Sequence, residues 1–91
     1  MHAVVVRVSI DAERGDEALK NLNETVLPMA RQSPGFKAGY WTRSPDGSKG
    51  CSMEIFESEK DAQAFSENLK MPPGAPTTLE SIELMEVVGS A

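Results

Sequence analysis

The chain has 91 residues, 40% of them hydrophobic and 25% charged, which bounds it to one small globular domain with a marginal core of its own. Fourteen acidic against nine basic residues give a net charge of −5, with no Lys/Arg cluster, and this excludes a phosphate backbone as the natural partner. A single cysteine excludes an internal disulfide, and one cysteine with one histidine excludes a typical structural zinc site, so no metal is expected.

Residues 3–10 are short and β-branched and predict a first strand. The N-terminus runs straight into it, with Arg7 inside and no basic or apolar leader, so we expect a cytoplasmic protein with no membrane partner. Asp11 to Asp16 reads as a polar turn, and Asp16 and Glu17 suit the positive end of a helix starting there. Leu19, Leu22, Val26 and Met29 recur at helical spacing, with a kink or short break expected at Pro28 and the helix over by Ser33-Pro34-Gly35. Residues 36–43 and about 49–57 form a hairpin around the turn chemistry of Ser44-Pro45-Asp46-Gly47-Ser48. Ser58 and Asp61 make a capping-box-like start for a second helix with the apolar stripe Ala62, Phe65 and Leu69. Residues 71–80, rich in proline, read as a mobile loop, and residues 81–88 as the last strand. One domain, residues 1–91, accounts for the whole chain: an α+β fold in the order βαββαβ, with two helices on one face of a four-stranded sheet.

Sorting strand residues by parity assigns two faces. Val4, Val6, Val8, Phe36, Ala38, Tyr40, Cys51, Met53, Ile55, Ile82 and Leu84 are expected under the helices, with Cys51 a small buried hydrophobe. Ala3, Val5, Arg7, Gly39, Trp41, Arg43, Ser52, Glu54, Phe56, Met85 and Val87 fall on the other face. Its mixture of large apolar groups and charges does not suit water, so it is read as an interface between two copies of the chain or as a pocket wall.

These patterns resemble the antibiotic biosynthesis monooxygenase (ABM) family of the dimeric α/β-barrel superfamily. The resemblance rests on the Val-rich first strand, the Ser33-Pro34-Gly35-Phe36 entry to the second, Glu57 to Phe65 opening the second helix, and the closing strand Glu80 to Val88. It implies a ferredoxin-like sheet and a homodimer whose sheets pack face to face into a barrel. It further implies a monooxygenase, needing no cofactor, of a small aromatic phenol or quinol. Heme-degrading members carry an asparagine on strand one, a tryptophan on helix two and a histidine just beyond. Here strand one offers Val5, Val6 and Arg7, Asn68 stands in the tryptophan's place, and no histidine follows, so heme degradation is not expected.

Within that frame Glu54 is the candidate base and Arg7 the group that stabilises a phenolate, the pair sharing one face of neighbouring strands. Read structurally, the same two residues are a buried salt bridge. Gly39 is expected opposite Glu54, leaving room beside the carboxylate. Trp41, Phe56 and Met85 are candidate lining for a hydrophobic or aromatic ligand, or filling for the subunit contact. Asn68 is a tentative substrate contact or an ordinary polar helix residue. His2, beside the terminus, is too poorly held for a general base. The competing readings are a non-catalytic dimeric binding module and a stress-related domain with a filled barrel. An open cavity separates the first two functions from the third.

Overall fold

The computed structural model describes residues 1–91 and has the expected element order. Strand β1 is His2–Ile10, β2 is Phe36–Arg43, β3 is Lys49–Phe56 and β4 is Thr77–Glu86. They form one antiparallel sheet in the order β2-β3-β1-β4, the ferredoxin-like arrangement, with β2 and β4 at the edges. Between β1 and β2 the chain makes a 3₁₀ turn (Ala12–Arg14), helix α1 (Gly15–Asn21), a π-helical turn (Leu22–Val26) and helix α2 (Leu27–Gln32). Helix α3 (Glu59–Asn68) joins β3 to β4. No helix is long and apolar enough to cross a membrane.

Local chemistry explains the boundaries. Asp11 caps the 3₁₀ turn by accepting the Glu13 N–H at 3.1 Å, so helical structure begins before the acids at 16 and 17. The expected break near Pro28 is present but displaced. The extra residue is absorbed upstream, where the Leu27 N–H donates to the Leu22 carbonyl, and Pro28 then sits in the first turn of α2, where its missing N–H costs little. Ser58 caps α3 through the Asp61 N–H at 3.1 Å. Gly35 has φ +74° and lies against the Asp61 side chain, so the turn into β2 excludes any larger residue. In the β2–β3 turn, Asp46 accepts from the Ser48 N–H at 2.9 Å and from the Ser44 and Ser48 hydroxyls at 2.7 and 2.8 Å. These bonds, the Ser48 backbone one foremost, hold its carboxyl down at about 2.

Strand β4 begins four residues before the expected position at 81. Thr77 and Thr78, both β-branched, pair with Ile10 and Ser9, leaving a loop of only 69–76. His2 is likewise inside β1, its ring half-buried and 3.7 Å from the Glu59 carboxylate, rather than at a frayed end.

The core lies between the sheet and the helices. Val4, Val6, Ala30, Phe56, Ala62 and Phe65 are buried, with Phe36, Trp41, Leu79 and Ile82 packed against them. Phe56 contacts Phe36 edge-on at a centroid distance of 5.8 Å and Phe65 at 5.0 Å. This set corrects the parity assignment. The pairing Val4↔Glu54 and Val6↔Ser52 puts the even residues of β3 on the helix side. A bulge at Lys37 switches β2, so that Phe36, Gly39 and Trp41 share that side. A second register shift around Glu80 does the same for Leu79 and Ile82.

The opposite face carries no covering layer. Tyr40, Met53 and Val5 form one row across it, and Ala38, Ile55, Ala3 and Met85 the next. Tyr40 is 74% exposed, Met53 47% and Met85 49%. Tyr40, Cys51 and Met53, expected under the helices, therefore stand on the open face.

Candidate functional site

A cavity of about 300 Å³ lies between the sheet and the first helical segment. Val6, Val8 and Ile10 of β1 supply part of its wall, Ala18, Leu19, Leu22 and Val26 of α1 and the π turn another, and Leu69 and Met71 add to the apolar lining. Trp41 of β2 forms a side wall. The apolar surface follows from the sequence: the first helix puts its stripe over the Val-rich strand. The π turn matters here, because an inserted residue shifts the helix stripe where it crosses the sheet and is a common companion of functional sites.

Into this apolar space β3 projects Ser52 and Glu54. Glu54 is 1% exposed and its Oε2 has no hydrogen-bond partner. No cation lies within salt-bridge reach of it; the ion pairs of the molecule are His2–Glu59, Arg14–Glu17 and Lys37–Glu57. Burial, which penalises the charged form, pushes its carboxyl up to about 7, and the neighbouring Ser52 hydroxyl, which favours the charged form, opposes this only in part. Glu54 thus holds or releases a proton near neutrality, at the wall of a cavity that a ligand's polar atom could enter.

Arg43, Asn21, Thr42 and Thr77 are the other polar groups of the lining. Arg43 follows Trp41 by two on β2 and reaches toward Gly15 at the start of α1. The cavity therefore combines an apolar body, one buried acid and one cation, a composition suited to a small, largely apolar ligand with an ionisable oxygen.

The model of the antibiotic biosynthesis monooxygenase family matches residues 1–71, from β1 through the end of α3. The chain belongs to this family. No curated protein matches it. Among solved structures it is similar to the heme-degrader MhuD of Mycobacterium tuberculosis with two hemes bound in its active site, at 19% identity and a TM-score of 0.76, covering 100% of this chain and 99% of that one. It is also similar to the ActVA-Orf6 monooxygenase of Streptomyces coelicolor in complex with nanaomycin D, at 18% identity and a TM-score of 0.65, covering 99% and 89%. HapK of Hahella chejuensis follows at 11% identity and a TM-score of 0.72, covering 100% and 96%. At these identities the structural likeness speaks for the fold.

The ABM fold brings only part of the expected site together. Glu54 and Trp41 line one cavity, and Gly39 stands opposite Glu54 as expected. Arg7 does not join them. It pairs in register with Cys51 and Ser81 on the open face, is exposed, and its Nη1 lies 3.8 Å from the Cys51 sulfur. The Arg7–Glu54 pair is therefore not formed, because odd residues of β1 and even residues of β3 point to opposite faces. Phe56 is fully buried in the core and is not part of the cavity wall. Met85, opposite Ala3, belongs to the open face. Asn68 is exposed and donates its Nδ2 to the Ala64 carbonyl at 3.0 Å, so its side chain serves its own helix. Ser52, Asn21 and Thr77 have no role in the sequence reading, whereas Arg43, grouped there with Trp41 and Glu54, lines the cavity with them. Setting β3 opposite the Val4-Val6-Val8 stripe would have found Ser52.

Proposed function

We propose that the chain is an ABM monooxygenase that oxidises a small planar phenol or quinol without a cofactor, with Glu54 as the general base. The observation that carries this reading is the Glu54 carboxyl, buried in an apolar cavity with no cationic partner and its Oε2 unbonded, and poised near neutrality. A purely structural carboxylate at that depth is normally paired, and the cost of leaving it unpaired points to use.

In this reaction the substrate provides all the electrons. Glu54 takes the phenolic proton, the electron-rich ring gives electrons to dioxygen, and one oxygen atom forms a bond to the ring carbon. The C–H proton and the proton held by Glu54 pass to the second oxygen, which leaves as water and returns Glu54 to its base form, so that phenol and O₂ become quinone and H₂O. The protein has to bind the ring, remove the proton and stabilise the developing anion. Trp41 and the aliphatic wall suit the first task, Glu54 the second and Arg43 the third, the part expected of Arg7.

The same reading includes a homodimer through the open face, where Tyr40, Met53 and Met85 leave apolar surface in water. Family membership and that exposed surface support it.

The test is oxygen uptake with a panel of hydroquinones and naphthols. Glu54→Gln keeps the shape of the side chain and removes the base, so turnover should fall by roughly 10²–10⁴-fold. Wild-type kcat/KM should rise with pH and level off above about 7. Tight binding of these compounds with no oxygen uptake would instead identify a binding module.

A further inference from the structure

We propose that Gly39 is a positioning residue of this cavity: by having no side chain it leaves a berth for the Trp41 indole, which fixes a planar wall beside Glu54. The proposal rests on the cavity being the ligand site.

The need for glycine is one of space. Gly39 is not among the glycines with positive φ, so its backbone conformation is open to any residue. In the interior of a strand glycine is a poor choice, and alanine would ordinarily be better. Yet a Cβ at position 39 would lie 2.7 Å from both Cη2 and Cζ3 of Trp41 and 3.3 Å from Cζ of Phe36. The outer edge of the indole thus occupies the space that a side chain would take. Residues 39 and 41 lie on one face of β2, and a long side chain leaning along its strand reaches this neighbour.

Gly39 also pairs directly with Glu54 across the β2–β3 ladder. Directly opposed residues in an antiparallel pair stand only about 4.5–5.5 Å apart. A ring parked over Gly39 is therefore next to the carboxyl, and it presents an aromatic surface to whatever Glu54 deprotonates. Phe36, itself locked against Phe56, crowds the same position 39 and leaves no room there for the indole to shift toward it. A methyl group at 39 leaves the indole two exits: into the cavity over Glu54, or outward past the free edge of β2. Either one removes the wall.

Trp41 is the only tryptophan, so its fluorescence reports the ring alone. In the ligand-free 91-residue chain, Gly39→Ala is expected to shift the emission maximum and change acrylamide quenching. It should also weaken binding of 1-naphthol by about tenfold, the order of an aromatic stacking contribution. In a Trp41→Val background, where the berth is empty, the same Gly39→Ala change should cost no thermal stability and no further naphthol affinity. If Gly39→Ala alone fails to fold, recovery of folding in the Gly39→Ala/Trp41→Val double variant supports the proposal, and failure to recover overturns it. Unchanged emission and quenching in Gly39→Ala, or equal losses in both backgrounds, would also overturn it. A wild type that binds no naphthol would sink the proposed function, while the emission and quenching arm still decides the role of Gly39.

Discussion

The two faces of the sheet are built from the same strands and both carry large apolar side chains, yet they are put to different use. The helix-covered face buries Phe56 and Val4 completely and places among them a carboxyl group with no cationic partner and one unbonded oxygen. The open face shows Tyr40, Met53 and Met85 to solvent and keeps its charged groups, Arg7 and Glu83, at the surface. Hydrophobicity alone would have chosen the reverse for β3, since Cys51, Met53 and Ile55 are more apolar than Ser52 and Glu54. The ladder with β1 overrides it: once Val4, Val6 and Val8 face the helices, the pairing register carries Ser52, Glu54 and Phe56 in with them. An uncompensated buried polar group costs roughly 1–3 kcal/mol. The covered face carries that cost, and the open face exposes apolar surface; the first suits a chemical site and the second an interface.

The difference can be broken most forcefully from the open side. Met53→Glu puts a charge in the middle of the row Tyr40–Met53–Val5. In a dimer that charge would be buried unpaired, at roughly 3–5 kcal/mol, whereas in a monomer it would reach water. Sedimentation should show a dimer becoming a monomer with unchanged circular dichroism; a persisting dimer would move the interface off this face.

A smaller effect is expected from the covered side. The folded-state pKa of Glu54, about 7, lies above its ordinary value of 4.5. The folded protein therefore binds this proton more tightly than the unfolded chain does. The associated stability is fully present below about pH 4.5 and is lost as pH rises through about 7, amounting to about 3 kcal/mol. Glu54→Gln should remove this part of the pH dependence and be more stable than wild type at pH 8, as read by urea unfolding at several pH values. A variant less stable than wild type at pH 8 would mean that Glu54 is charged and paired in the fold.

The smallest effect concerns coupling across the sheet. Arg7 and Glu54 point to opposite faces, so Arg7→Met and Glu54→Gln should add in stability to within about 0.5 kcal/mol. A larger interaction energy would restore the ion pair that the register forbids.

Much of the fold was legible because it depends on local chemistry and periodicity. The Val-rich strand, the Ser58 cap, the Asp46 turn and the Phe65 stripe each act within a few residues, and each appears where it was expected. The faces were harder, because parity assumes unbroken alternation and the bulge at Lys37 breaks it. No short-range signal marks that extra residue. The candidate site was legible as identities more than as a constellation. Glu54, Trp41 and Gly39 do stand together, but parity joins Arg7 to them where the ladder puts it on the opposite face, and Phe56 is core rather than lining. The start of β4 was missed because the prolines before it mask the β-branched pair Thr77 and Thr78.

The central claim is that Glu54 is an unpaired buried acid poised near neutrality, and its titration tests this most directly. Carbon-detected NMR of the side-chain carboxyl, assigned by comparison with Glu54→Gln, should give a midpoint near 7, well apart from the exposed glutamates. A midpoint at the ordinary 4.5 or below would mean that the carboxyl is solvated or paired, and it would contradict the account.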